Sequence, residues 1–136
     1  MKIVLDTNVL LVAISQRSPF HWILEELSSG TFTICFTTDI LEEYEEVISR
    51  HMGQHIAEDI ISGLLQLPNH QKVEKYFFWN LIKNDPDDNK FVDCAISTNA
   101  KFIVTEDQHF KVLSSIDFPK VEVLSIEGFR SVLIED

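Results

Sequence analysis

Four acidic side chains from distant parts of the chain have the types and settings that could do chemistry. They are Asp6 in "KIVLDTNVL", Glu43 in "TTDILEEYEEVISRH", Asp88 in "NDPDDNKFVDCAISTNA" and Asp107 in "KFIVTEDQHF". Brought together, such carboxylates repel. Oxygen-only ligation suits hard cations such as Mg²⁺ or Mn²⁺, which keep bound waters and bridge to phosphate oxygens. Neither His nor Cys belongs to this set, which disfavours zinc. Each acid also has an ordinary structural reading. Asp6 ends a strand where a helix N-cap is common, Glu43 belongs to an acidic helix face that favours the helix dipole, and Asp88 is spaced as a capping-box partner of Asp85.

Whether the four meet depends on the elements that carry them. "KIVL", "TFTICF", "KFIVT" and "VEVL" are continuous β-branched or aromatic runs, the pattern of strands covered on both faces. Amphipathic stretches at residues 19–28, 39–51, 57–67, 86–99 and 126–133 are long enough to be crossover helices. The expected fold class is therefore α/β: a three-layer α/β/α sandwich around a parallel sheet of four to five strands, with residues 1–136 forming one domain. Residues 68–84 fit neither period and read as loop with some extended structure. Phe77, Phe78 and Trp79 in that loop suit a core or oligomer contact, or stacking on bases.

In a doubly wound sheet, ligand groups collect outside the carboxyl ends of the strands. Asp6 and the segment 105–107 each follow a strand directly and so reach that edge. In the helix after the second strand, Ile40, Leu41, Tyr44, Val47 and Ile48 form an apolar stripe. Glu42 and Glu46 lie opposite it, Glu43 and Glu45 on its borders, and Glu43 is the border acid nearer the strand ends. Thr38 or Asp39 is the expected cap, with Glu42 as capping-box partner of Asp39. Asp85 followed by Pro86 sets the phase of the next helix. In that phase Phe91, Val92, Ala95 and Ile96 face inward, Asp88 projects among them, and Asp87 and Asp93 project away. A carboxylate aimed at a core costs several kcal/mol unless it is neutralised, paired or bound to a cation.

Composition adds limits. Of the 136 residues 45% are hydrophobic and 24% charged, ordinary for a folded protein. No apolar run approaches the roughly 20 residues of a membrane span. The start of the chain lacks a secretory pattern, so the cytoplasm is the expected compartment. Cys35 and Cys94 have no metal-binding spacing and read as reduced, buried packing residues. A formal charge of −11 argues against gripping nucleic acid along the whole surface. Metal cations held by clustered carboxylates would supply local attraction, whereas solubility alone also explains the acidity. Lys90 and Lys101 are candidate local contacts, and His109 either meets a leaving group or is a surface residue.

In order, "LDTN", "LEEYEEVISR", "DPDDNKFVDCA" and "AKFIVTED" resemble the PIN-domain family. More narrowly they are similar to its branch of toxin components of bacterial toxin–antitoxin pairs, in which an Asp-Pro-x-Asp-Asn element precedes the penultimate helix. The likeness extends to the closing "VEVLSIEGFRSVL". By motif, it implies that Asp6, Glu43, Asp88 and Asp107 are metal-binding and catalytic, that Asn8 and Thr105 support them, and that Asp107 is the most dispensable. Glu106 stands where a small residue or Gly often occurs, adding charge that could change metal or substrate preference. The resemblance further implies a Mg²⁺- or Mn²⁺-dependent endoribonuclease acting on single-stranded RNA, an antitoxin partner and homo-oligomers. A haloacid-dehalogenase-type phosphotransferase also opens with strand and Asp, but it expects a second Asp two positions on, where this chain has Asn8. The other rival is a weakly active or inactive PIN-like binding module acting through a protein partner.

Overall fold

Among the described residues, five parallel strands form one sheet in the order β3-β2-β1-β4-β5: β1 Lys2–Leu5, β2 Thr33–Thr37, β3 His70–Val73, β4 Phe102–Val104 and β5 Val123–Leu124. This computed structural model describes residues 1–83 and 85–135. The expected α/β class holds, and β3 is the extended part of the 68–84 loop, whose last residue lies outside the described ones. β1, in the middle, is buried from Ile3 to Leu5 and carries no polar side chain there, as a strand covered on both faces requires. The chain leaves β1 for β2 on one side and later adds β4 on the other, so the order reverses beside β1. Such a reversal opens a crevice at the strand ends.

Among the described residues, six helices accompany the sheet: α1 Thr7–Ile14, α2 Trp22–Ser28, α3 Thr38–Met52, α4 Gln54–Gln66, α5 Asn89–Thr98 and α6 Ile126–Glu135. α1 follows β1 with no intervening loop and lies outside the helices expected from periodicity. After Asp6, Thr7 and Asn8 its residues Val9–Ile14 are a short, continuously apolar run, in which no helical period can be read. α3 is capped by Thr37, whose hydroxyl accepts from the Ile40 amide at 3.3 Å. The expected Asp39–Glu42 capping box is absent. Asp39 instead accepts from the Thr37 hydroxyl and from the Tyr76 hydroxyl, the latter at 2.9 Å. The Tyr44 hydroxyl donates to the Leu5 carbonyl at 2.6 Å, fastening α3 under the end of β1.

Residues 74–83 have no regular structure, yet α5 pins them. Buried Asn89 accepts from the Ile82 amide at 2.9 Å and donates to the Ile82 carbonyl at 2.8 Å. Asp93 accepts from the Trp79 amide at 3.0 Å. Asp93 was expected to face solvent but is 2% exposed, because this irregular strand covers its face. Burial raises its pKa and the Trp79 amide opposes that rise. Phe77 and Phe78 are 82% and 75% exposed, so neither is a core residue. Cys35 in β2 and Cys94 in α5 are buried free thiols, as expected. Among the described residues no helix is long and apolar enough to cross a membrane.

Candidate metal centre

Leu5 pairs with Val104 across β1 and β4, so the next residue of each strand, Asp6 and Thr105, emerges beside the other at the crevice. The Asp6 amide donates to the Val104 carbonyl at 3.0 Å and fixes that register. Asp6 occupies the N-cap position of α1, but its carboxylate makes no capping bond. Oδ2 accepts from the Thr105 hydroxyl at 2.6 Å. That hydroxyl in turn accepts from the Asp107 amide at 3.0 Å, so one side chain orients both acids. Burial raises the Asp6 pKa. The Thr105 bond and the Thr7 amide oppose it, while the charges of Asp107 and Glu43 add to it.

Asp88 arrives from the other side. The Asp85-Pro86 start nucleates a 3₁₀ turn over Pro86–Asp88 before α5 begins, one turn tighter than the continuous helix expected. The inward projection survives. Asp88 is 9% exposed and Asp87 faces solvent. The capping-box alternative fails, because neither Asp85 nor Asp88 makes a side-chain cap bond. Among the described residues, Asp88 Oδ2 is the one buried side-chain oxygen or nitrogen without a hydrogen-bond partner. Burial, then the charges of Asp107, Asp85 and Asp6, push the Asp88 pKa up to about 7, with His109 pulling the other way.

One ligand atom from each of Asp85, Asp88, Asp107 and His109 lies within 4.8 Å of the others. Of the acids expected from sequence, this tight group holds Asp88 and Asp107, and Asp6 adjoins it through its influence on Asp88. Asp107 also begins the 3₁₀ segment Gln108–Ser115, accepting from the His109 amide at 2.9 Å. Asp85 and His109 are the members that sequence reasoning assigned elsewhere, Asp85 to a helix cap and His109 to a leaving group or the surface. The usable signal was their spacing, three residues before Asp88 and two after Asp107.

Glu43 is placed differently. It accepts from the Thr7 hydroxyl, and Lys90 Nζ stands 2.6 Å from its other oxygen. Burial alone would lower the Lys90 ammonium, but the bond and charge of Glu43, with Asp87 behind, hold it above its ordinary value. Lys90 is therefore an internal counter-ion and not a free contact. Lys101 precedes β4 and so sits at the end of that strand away from Thr105. Glu106, expected to add charge to the site, accepts from the Ile126 amide at 2.8 Å and caps α6. Asn8 is exposed on the wall of a cleft of about 410 Å³ that runs from Asp6 and Asp107 past Val9, Val12 and Phe20. A second cleft of about 410 Å³ on the other side of Asp107 brings in Lys111 and Lys120.

The donor set fits a divalent cation on chemistry and on geometry. Carboxylate oxygens predominate, one is buried without a partner, and the pKa of Asp88 rises through burial first and then through neighbours that share its sign. The sequence matches the PIN domain family over residues 2–109. No curated protein matches it. Among solved structures, a chain of VapBC2 from Rickettsia felis, bound to a DNA fragment from its promoter, has a TM-score of 0.58 at 18% identity, covering 92% of this chain and 98% of that one. The PIN domain of human SMG5 has a TM-score of 0.57 at 12% identity, covering 97% of this chain and 99% of that one. At such identities the two likenesses show fold alone. The family match takes in Asp6, Glu43, Asp88 and Asp107 and spans most of the sequence: the chain belongs to the PIN domain family.

Proposed function

We propose that this protein is a divalent-metal-dependent endoribonuclease that hydrolyses phosphodiester bonds of single-stranded RNA, and that it is the toxin of a cytoplasmic toxin–antitoxin pair. Family membership supports nuclease chemistry, and the fold likeness to VapBC2 supports a protein partner. The observation that carries the reading is the partnerless, buried Asp88 oxygen among further carboxylates. Uncompensated like charge of that kind is a standing cost in a folded protein unless a cation joins it. Asp6, Asp88 and Asp107 would hold Mg²⁺ or Mn²⁺, with Glu43 completing the acidic set. When bound, such an ion supplies Lewis-acid stabilisation of phosphoryl oxygens and an acidified water.

The remaining work falls to the chain. Thr105 holds Asp6 and Asp107 in one orientation through its paired hydrogen bonds. Lys90 cancels the Glu43 charge, which limits repulsion across the site. The clefts flanking Asp107 give a nucleic-acid strand an apolar wall on one side and Lys111 with Lys120 on the other. Local contacts of this kind suit a protein whose net charge repels polyanions.

The Glu43–Lys90 pair favours a second reading, a weakly active or inactive binding module that works through its partner, because a carboxylate already held by a lysine is less available to a metal. Cleavage of a labelled single-stranded RNA separates the two. The nuclease reading expects cutting with Mg²⁺ or Mn²⁺, none with EDTA, and at least ~100-fold less in Asp6→Asn. Metal-independent cutting, or none in the wild type under any ion, sinks it. Co-expression with any small protein encoded alongside should suppress the cutting if the two form a pair.

A further inference from the structure

Carboxylates alone make a site for hard cations, and from sequence no nitrogen donor belonged to the four acids. The folded chain adds one. His109 Nδ1 stands 3.1 Å from Asp107 Oδ1, 3.6 Å from Asp85 Oδ2 and 3.8 Å from Asp88 Oδ2. Its ring is not a long arm that happened to reach the acids. The His109 backbone amide is bonded to Asp107 Oδ1 at the start of the 3₁₀ segment, which sets where the side chain begins. The partnerless Asp88 Oδ2, on a residue nine-tenths buried, faces the same space.

We infer that Asp85 and His109 turn the carboxylate cluster into a mixed nitrogen–oxygen site that takes Mn²⁺ and other first-row transition ions in preference to Mg²⁺. This deepens the metal-dependent reading above and rests on it. The dimensions suit it. Bonds of about 2.1 Å place ligands on opposite sides of an ion roughly 4 Å apart, so donor atoms within 4.8 Å of one another need only a small contraction. The chemistry suits it as well. Mg²⁺ gives up its water shell reluctantly and takes oxygen donors, whereas imidazole strengthens the hold on transition ions. Asp85 Oδ2, 3.6 Å from His109 Nδ1, would complete the coordination shell beside the imidazole.

The test uses the whole chain and Mn²⁺ as the probe. Pulsed electron paramagnetic resonance reads ¹⁴N coupling between Mn²⁺ and a directly bound imidazole, independently of any cleavage. Calorimetric competition then gives the ratio of Mn²⁺ to Mg²⁺ affinity. Wild type should show one nitrogen coupling that His109→Ala and His109→Gln both remove. In those variants the Mn²⁺ to Mg²⁺ ratio should fall about tenfold. Asp85→Asn should weaken Mn²⁺ and keep the nitrogen signal. Mn²⁺ bound through Asp88 with no nitrogen coupling, or an unchanged ratio in both His109 variants, overturns the inference and leaves the metal centre standing. A wild type that binds no Mn²⁺, or binds it equally after Asp88→Asn, overturns both.

Discussion

The carboxyl edge of the sheet has two halves that treat negative charge in opposite ways. On the α3 side, Glu43 is matched by Lys90 at 2.6 Å and by the Thr7 hydroxyl. On the β4 side, Asp85, Asp88 and Asp107 share one half-exposed histidine, Asp6 adds its charge to that of Asp88, and one Asp88 oxygen has no partner. The first half is already a completed ion pair. The second needs a proton or a cation, as the elevated Asp88 pKa shows. The four acids alike in sequence are thus unlike in structure, and the half that lacks a counter-ion is the half with a use for one.

The sharpest way to break that contrast is to neutralise one acid in each half. Asp88→Asn should lower RNA cleavage about 1,000-fold, roughly 4 kcal/mol of transition-state stabilisation, while Glu43→Gln should cost on the order of tenfold. Equal losses would erase the distinction between the halves.

A second effect runs in the opposite direction, towards stability. In the metal-free protein the Asp88 pKa lies near 7, above the ordinary carboxylate value of 3.8. For a raised carboxyl, the native state holds its proton after the unfolded chain has released it. The group's contribution is therefore intact below about pH 4 and is lost as pH rises through 7. In EDTA, Asp88→Asn should stabilise the protein by about 2–4 kcal/mol more at pH 8 than at pH 4, read by thermal or denaturant unfolding. A variant less stable than wild type at pH 8 would mean that this carboxylate is well accommodated without metal.

Smaller changes sharpen the comparison further. Thr105→Val removes the hydroxyl that serves Asp6 and the Asp107 amide, and should cost about 1–3 kcal/mol in denaturant unfolding. Lys90→Met leaves Glu43 partly buried and unpaired. It should cost about 1–2 kcal/mol in stability and raise Mn²⁺ affinity, because the added net negative charge now faces the site. A Lys90→Met protein with weaker Mn²⁺ binding would place Lys90 in a supporting role towards the ion.

Much of this edge was legible in the amino-acid order. Asp6 and Thr105 could be placed because continuous apolar runs end immediately before them, and the inward aim of Asp88 followed from the Asp85-Pro86 start. What sequence could not supply was pairing across elements. Nothing in the periodicity of α3 announces that Lys90, 47 positions away, would meet Glu43. Asp93 was misjudged for the same reason, since its face of α5 is covered by a segment with no period to read. Asp85 reads as a helix cap, and His109 as a residue that meets a leaving group or lies on the surface. Their approach to Asp88 depends on two 3₁₀ segments, Pro86–Asp88 at the start of an expected helix and Gln108–Ser115 where no helix was expected.

Calorimetric titration of Mn²⁺ into metal-free wild type, Asp88→Asn and Glu43→Gln, at about pH 8, tests the central claim most directly. Expected is saturable binding in wild type, a loss of at least ~100-fold in Asp88→Asn and a change within about tenfold in Glu43→Gln. Binding that Asp88→Asn leaves intact, or that Glu43→Gln alone abolishes, would contradict the assignment of the cation to the uncompensated half of the site.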